Sequence, residues 1–89
     1  MYNVWEIKYG LHHIRVEESL VSDKLYVDGV LQDEQVGFSF SSRLFGKVHN
    51  EEGQVEQIKV AIGCDCLQKN CRVFIGDRLV YSNDLQWGL

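Results

Sequence analysis

Leu25-Tyr26-Val27-Asp28-Gly29-Val30-Leu31 decides how this chain folds. Three apolar residues run into an Asp-Gly pair, and two more run out of it. A type I′ turn needs positive φ at both central positions, and Asp-Gly tolerates this. The stretch therefore predicts a two-residue β-hairpin. The same pattern returns at Val73-Phe74-Ile75-Gly76-Asp77-Arg78-Leu79: aliphatic, aromatic, β-branched, two turn residues, any residue, leucine. Here Gly76-Asp77 suits a type II′ turn. Either two hairpins have converged on similar sequences, or they form a pseudo-symmetric pair in facing sheets.

Outward from these hairpins the dominant signal is period-two alternation, the period of a strand. Trp5, Ile7 and Tyr9 alternate with Glu6 and Lys8, which places Trp5 in the core with its two partners. His12, Ile14 and Val16 alternate with His13, Arg15 and Glu17. Phe38 and Phe40 flank Ser39. Leu44, Gly46 and Val48 alternate with Phe45, Lys47 and His49, and Ile58, Val60 and Ile62 with Lys59 and Ala61. Asn50-Glu51-Glu52-Gly53 reads as a longer hairpin loop and Gly63 to Asn70 as the longest irregular stretch. Only Val30–Gln35 reads as a short helix start. The pattern predicts eight or nine strands in an all-β fold, a small antiparallel β-sandwich of about eight strands, with a small β-barrel as the alternative. At 89 residues there is room for one domain, 1–89, with a thin core.

Composition narrows the function classes. The chain is 45% hydrophobic and 25% charged, which predicts a globular protein and not a disordered one. Nine basic residues are scattered among thirteen acidic ones, for a net charge of -4, and no stripe is expected. A nucleic-acid partner is disfavoured, because phosphate neutralisation supplies most of such affinity. No apolar run approaches the ~20 residues that span a bilayer. The N-terminus lacks the basic and apolar segments of an export signal, and three cysteines are not an even disulfide framework. Together these point to the cytoplasm.

The order Val4-Trp5, Gly10, His13-Ile14, Ser22-Asp23-Lys24 and Val27-Asp28-Gly29, continued by Leu44-Phe45-Gly46, the Ile58–Ile62 strand and the Val73–Val80 hairpin, resembles the Fas apoptotic inhibitory molecule family. The similarity spans roughly Val4 to Ser82 through short patterns common among β-proteins. Asp23 stands where the family has a turn glycine, and Gly76-Asp77 where it has an Asn-Gly-type turn. Family members resemble two such sandwich domains in tandem, and this chain has room for one. The resemblance implies a non-enzymatic intracellular module acting through protein contacts. It does not extend to death-receptor regulation, since no receptor-binding motif can be matched.

Candidate chemistry is sparse. Cys64-Asp65-Cys66 and Cys71 could hold zinc with Asp65 or His49, or form a redox pair, but structural zinc sites favour two cysteine pairs of wider spacing. Alternation turns Cys71 toward the face of Val73 and Ile75, as a small buried hydrophobe. The negative charge of Asp65 between the two cysteines opposes thiolate chemistry. His12 and His13 point to opposite faces of a strand and cannot chelate one ion. His49, beside Lys47, reads as exposed. Glu17-Glu18 and Asp33-Glu34 read as solvated pairs. No nucleophile elbow, phosphate loop or metalloprotease helix is present, so no enzyme activity and no cofactor are expected.

What remains is apolar surface. In both hairpins the two faces are apolar: Leu25, Val27 and Val30 against Tyr26 and Leu31, and Val73, Ile75 and Val80 against Phe74 and Leu79. A two-layer sandwich covers one face of each sheet. Tyr26, Leu31, Phe74 and Leu79 are therefore the candidate binding residues, forming or bordering a patch. The tail around Trp87, a second copy of the chain or another protein would cover it. The expected function is a protein-interaction module using an apolar sheet face or strand edge. The alternative is a cysteine-dependent metal or redox domain using Cys64, Cys66 and Cys71.

Overall fold

The computed structural model describes residues 2–37, 41–65 and 68–83, with the backbone alone at Asp65 and Gln68. Phe38, Phe40, Cys66 and Trp87 lie outside these residues. Eight strands follow one another: β1 (Tyr2–Tyr9), β2 (His12–Ser19), β3 (Ser22–Val27), β4 (Val30–Val36), β5 (Ser41–His49), β6 (Val55–Asp65), β7 (Gln68–Ile75) and β8 (Arg78–Ser82). They build two four-stranded antiparallel sheets, β1-β2-β3-β4 and β5-β6-β7-β8, so every hydrogen-bonded neighbour is also a neighbour in sequence. The arrangement is a sandwich. No helix among the described residues is long and apolar enough to cross a membrane.

Alternation sets the layers. Ile14, Val16, Leu25 and Val27 of the first sheet meet Leu44, Val48, Ile58, Val60, Ile62, Cys71, Val73 and Ile75 of the second in one buried cluster. Each fully buried aliphatic side chain contributes about 1.5–3 kcal/mol over its exposed state. On β1, Ile7 is buried, while Trp5 and Tyr9 are half-buried and pack against the cluster's margin. The tryptophan expected in the core sits at its rim, because β1 is an edge strand.

Both hairpins form as their turn residues predict. Asp28 and Gly29 have φ of 52° and 82°, the type I′ signature, and Asp28 is the only described non-glycine residue at positive φ. At the second hairpin Gly76 has φ 62° and Asp77 a negative φ, as type II′ requires. The ladders also slip at matching places, between Leu25 and Tyr26 in β3 and between Val73 and Phe74 in β7. The repeated hairpins thus occupy equivalent places in facing sheets, down to the bulge. A Cβ at Gly29 would meet nothing within 4 Å, so substitution there is penalised by backbone strain alone. Gly29→Val is expected to destabilise the domain by about 1–2 kcal/mol, read as a lower urea midpoint; an unchanged midpoint would contradict the turn.

Two segments differ from expectation. Val30–Gln35 is not a helix start but most of β4. Its polar residues do not alternate against the core because they lie across the edge of β5. Asp33 Oδ2 accepts the Phe45 backbone N–H at 2.8 Å, and Gln32 Oε1 accepts that of Lys47 at 2.8 Å. Asp33 is therefore a capping group and not a merely solvated one. Gly46 lies between these contacts. A Cβ there would come within 2.8 Å of Gln32 Oε1 and 3.0 Å of Leu25 Cδ2, so only glycine allows this approach without displacement. Gly63 to Asn70, read as irregular, belongs mostly to strands, with Gly63 opposite Asn70, Cys64 opposite Lys69 and Asp65 opposite Gln68.

Candidate interaction surface

The strands that bury Leu44, Ile58, Val60 and Val73 turn their other residues outward on the second sheet. Register lines these into rows. Phe45 lies opposite Lys59, Lys59 opposite Phe74, and Phe74 opposite Leu79. The adjoining row holds Arg43, Ala61, Arg72 and Ser82, and on the other side Lys47 pairs with Gln57. Phe45 and Leu79 are about half exposed, at 49% and 53%, and Phe74 is half-buried. Lys59 Nζ lies 5.0 Å from the centre of the Phe74 ring, a cation–π contact. No carboxylate shares these three rows.

The outer face of the first sheet differs. Tyr26 lies opposite Leu31, which is 45% exposed. Beside this pair the guanidinium of Arg15 joins Glu6, 2.6 Å away, to Glu17, 2.7 Å away. His13 lies 3.4 Å from Glu6. Arg15, Glu6 and Glu17 are compensated in place. The four candidate binding residues thus separate into two cross-strand pairs, Tyr26 with Leu31 and Phe74 with Leu79, on opposite outer faces. They do not form one surface.

At the turn end of the sandwich, a cleft of about 540 Å³ is bordered by Tyr9, His12, His49, Glu51, Glu56 and Arg78, among others. Its polar groups engage one another. The Tyr9 hydroxyl donates to Glu56 Oε1 at 2.5 Å and accepts from Arg78 Nη2 at 2.9 Å. His12 Nδ1 lies 2.7 Å from Asp28 Oδ2, while Asp28 Oδ1 accepts the His13 backbone N–H at 2.9 Å. The hydrogen bond between His12 and the Asp28 carboxylate raises the His12 pKa and lowers that of Asp28. These contacts tie the hairpin turns together, and His12 and His13 indeed serve different neighbours. His49 is exposed.

The opposite end holds a buried polar cluster. Glu18 and Asp23 face each other across β2 and β3, and both are buried, so Glu18 is not the solvated residue its neighbour Glu17 suggests. Asn3 Nδ2 donates to Glu18 Oε1 at 2.8 Å, Lys69 Nζ lies 3.4 Å from Glu18 Oε2, and the Ser42 hydroxyl donates to Asp23. Burial holds the Asp23 carboxyl above its ordinary pKa, against the opposing pull of Ser42. Every buried polar side-chain atom among the described residues has a hydrogen-bond partner. The available signal was parity: Glu18 continues the inward series of Ile14 and Val16, and Asp23 precedes that of Leu25 and Val27.

The cysteines part company. Cys71 lies in the core opposite Ile62, and burial pushes its thiol up to about 12, which withholds the thiolate that metal binding or disulfide exchange requires. Cys64 is exposed. Among the described residues, no three His, Cys, Asp or Glu side chains are placed to hold a metal ion. Compared with known protein families, curated proteins and solved structures, the chain matches none.

Proposed function

We propose that the domain is a non-enzymatic protein-interaction module, and that its binding surface is the outer face of the β5–β8 sheet. The observation that carries this reading is the cross-strand row of Phe45, Phe74 and Leu79, in which Phe45 and Leu79 are half exposed and no described strand lies over the row. Aromatic residues and arginine are enriched at protein interfaces, and exposed apolar patches rimmed by polar groups usually mark them. The resemblance to the Fas apoptotic inhibitory molecule family supports the same class of function. A core thiol and an odd cysteine count fit a reducing compartment such as the cytoplasm.

The test compares capture by the parent chain with capture by a Phe45→Ser, Leu79→Ser double variant. Both positions are half exposed, so the variant is expected to keep the parent's circular dichroism and unfolding midpoint. It is expected to lose at least one partner that the parent retains from lysate. An identical set of captured proteins would remove this face from consideration.

A further inference from the structure

Charge on the proposed binding face points to the kind of partner it takes. Four of the chain's nine basic residues, Arg43, Lys47, Lys59 and Arg72, lie in its three rows, in a protein that carries thirteen acidic residues. Arg43, Lys47 and Lys59 are exposed, and none of the three makes an ion pair with a described carboxylate. Off this face Arg15, Lys69 and Arg78 each sit against a glutamate, while Lys8 and Lys24 make no ion pair with a described carboxylate and have no phenylalanine, tyrosine or tryptophan opposite them in register. Like charges gathered on one face repel one another, and among the described residues no carboxylate pairs with Arg43, Lys47 or Lys59. The apolar residues lie among the cations, so a ligand that neutralises Arg43 and Lys59 also lies over Phe45.

We infer that this face binds a short acidic segment of a partner protein, its carboxylates on Arg43, Lys47 and Lys59 and separate apolar side chains against Phe45 and Leu79. The inference rests on the reading of this face as the binding surface. From Arg43 to Lys47 the footprint runs about 14 Å along the strand, at ~3.4 Å per residue, and it is about as wide across four strands. That accommodates four or five extended residues. A nucleic acid fits less well, because its phosphate chain would continue past the footprint. At the turn end it would approach Glu51, Glu52 and Asp77, which lie beyond β5 and β7 in the hairpin loops. A second copy fits less well too, since Glu6 and Glu17 on the other outer face are already compensated by Arg15.

Fluorescence anisotropy with the full chain tests this. The probes are a labelled peptide of alternating glutamate and leucine, its glutamine–leucine counterpart, and a labelled oligothymidylate. The glutamate peptide is expected to bind best, and more weakly as salt rises, because exposed charges are screened. Arg43→Glu with Lys59→Glu is expected to weaken it at least about tenfold, while Lys8→Glu with Lys24→Glu, on the opposite face, changes it less than about twofold. Circular dichroism confirms that each variant is folded. Equal binding of the glutamine peptide, tighter binding of the oligothymidylate, or indifference to the Arg43 and Lys59 reversals overturns the inference. So does a concentration-dependent dimer that those reversals abolish, which would assign the face to a second copy. If Phe45→Ser with Leu79→Ser loses partners but the charge reversals do not, the face stands and its preference for acid falls. If neither pair of substitutions matters, the face itself is wrong.

Discussion

Leu25→Ala is expected to lower the stability of the domain by about 3–4 kcal/mol, in the middle of what buried leucine truncations show. Leu25 is fully buried, and its Cδ2 packs against Gly46, 3.0 Å from where a Cβ would stand. β4 is held against β5 there by the caps from Gln32 and Asp33, so the surroundings cannot collapse into the space without breaking them. A domain of this size has roughly 5–13 kcal/mol in all, so one side chain removes a large share. Urea denaturation should show a much lower midpoint with the slope unchanged. A loss below about 1 kcal/mol would mean that the layers are not rigidly spaced at this point.

Lys69→Met should have an effect of similar size and a characteristic pH dependence. The substitution keeps the stem and removes the ammonium 3.4 Å from Glu18, beside a second buried carboxyl, Asp23. Breaking a buried ion pair from one side is destabilising by about 3 kcal/mol or more. Asp23 already has a raised folded-state pKa, chiefly from burial, and Lys69 is one of the influences that restrain the rise. A raised carboxyl favours the folded state below its unfolded value and loses that contribution as pH rises through the folded value. Without Lys69 the folded value moves further up, and more is lost at neutral pH. The gap between parent and variant should therefore be widest near pH ~7 and narrow toward pH ~4, close to the ordinary carboxylate range. A gap independent of pH would show that the ammonium acts through packing alone.

The layers were legible because a period of two assigns each residue of a strand to a face, and inward apolar runs such as Ile58-Val60-Ile62 leave no ambiguity. Asp28-Gly29 was legible because few dipeptides accept positive φ twice. β4 was not. Its sequence Gln32-Asp33-Glu34-Gln35 carries no alternation, since these residues meet a strand edge and not a core, and such a contact leaves no periodic trace. The binding candidates were half legible. Alternation turned Tyr26 and Phe74 outward correctly, but only topology shows that they leave the molecule in opposite directions. The cations Arg43, Lys47, Lys59 and Arg72 are spread over three strands, and register alone brings them onto one face.

The two sheets share no strand, and this shapes how the chain acquires its structure. β-proteins usually fold slowly because distant segments must find one another before any ladder forms. Here each ladder closes between consecutive segments, so hydrogen-bonded pairing is a local event and only the meeting of the finished layers is long-range. During synthesis the first four strands emerge before the second four exist. At roughly 5–20 residues per second the interval lasts a few seconds. For that time Ile14, Val16, Leu25 and Val27 have no opposing layer, and the nascent half-protein is at its most vulnerable to mispairing and to chaperone capture.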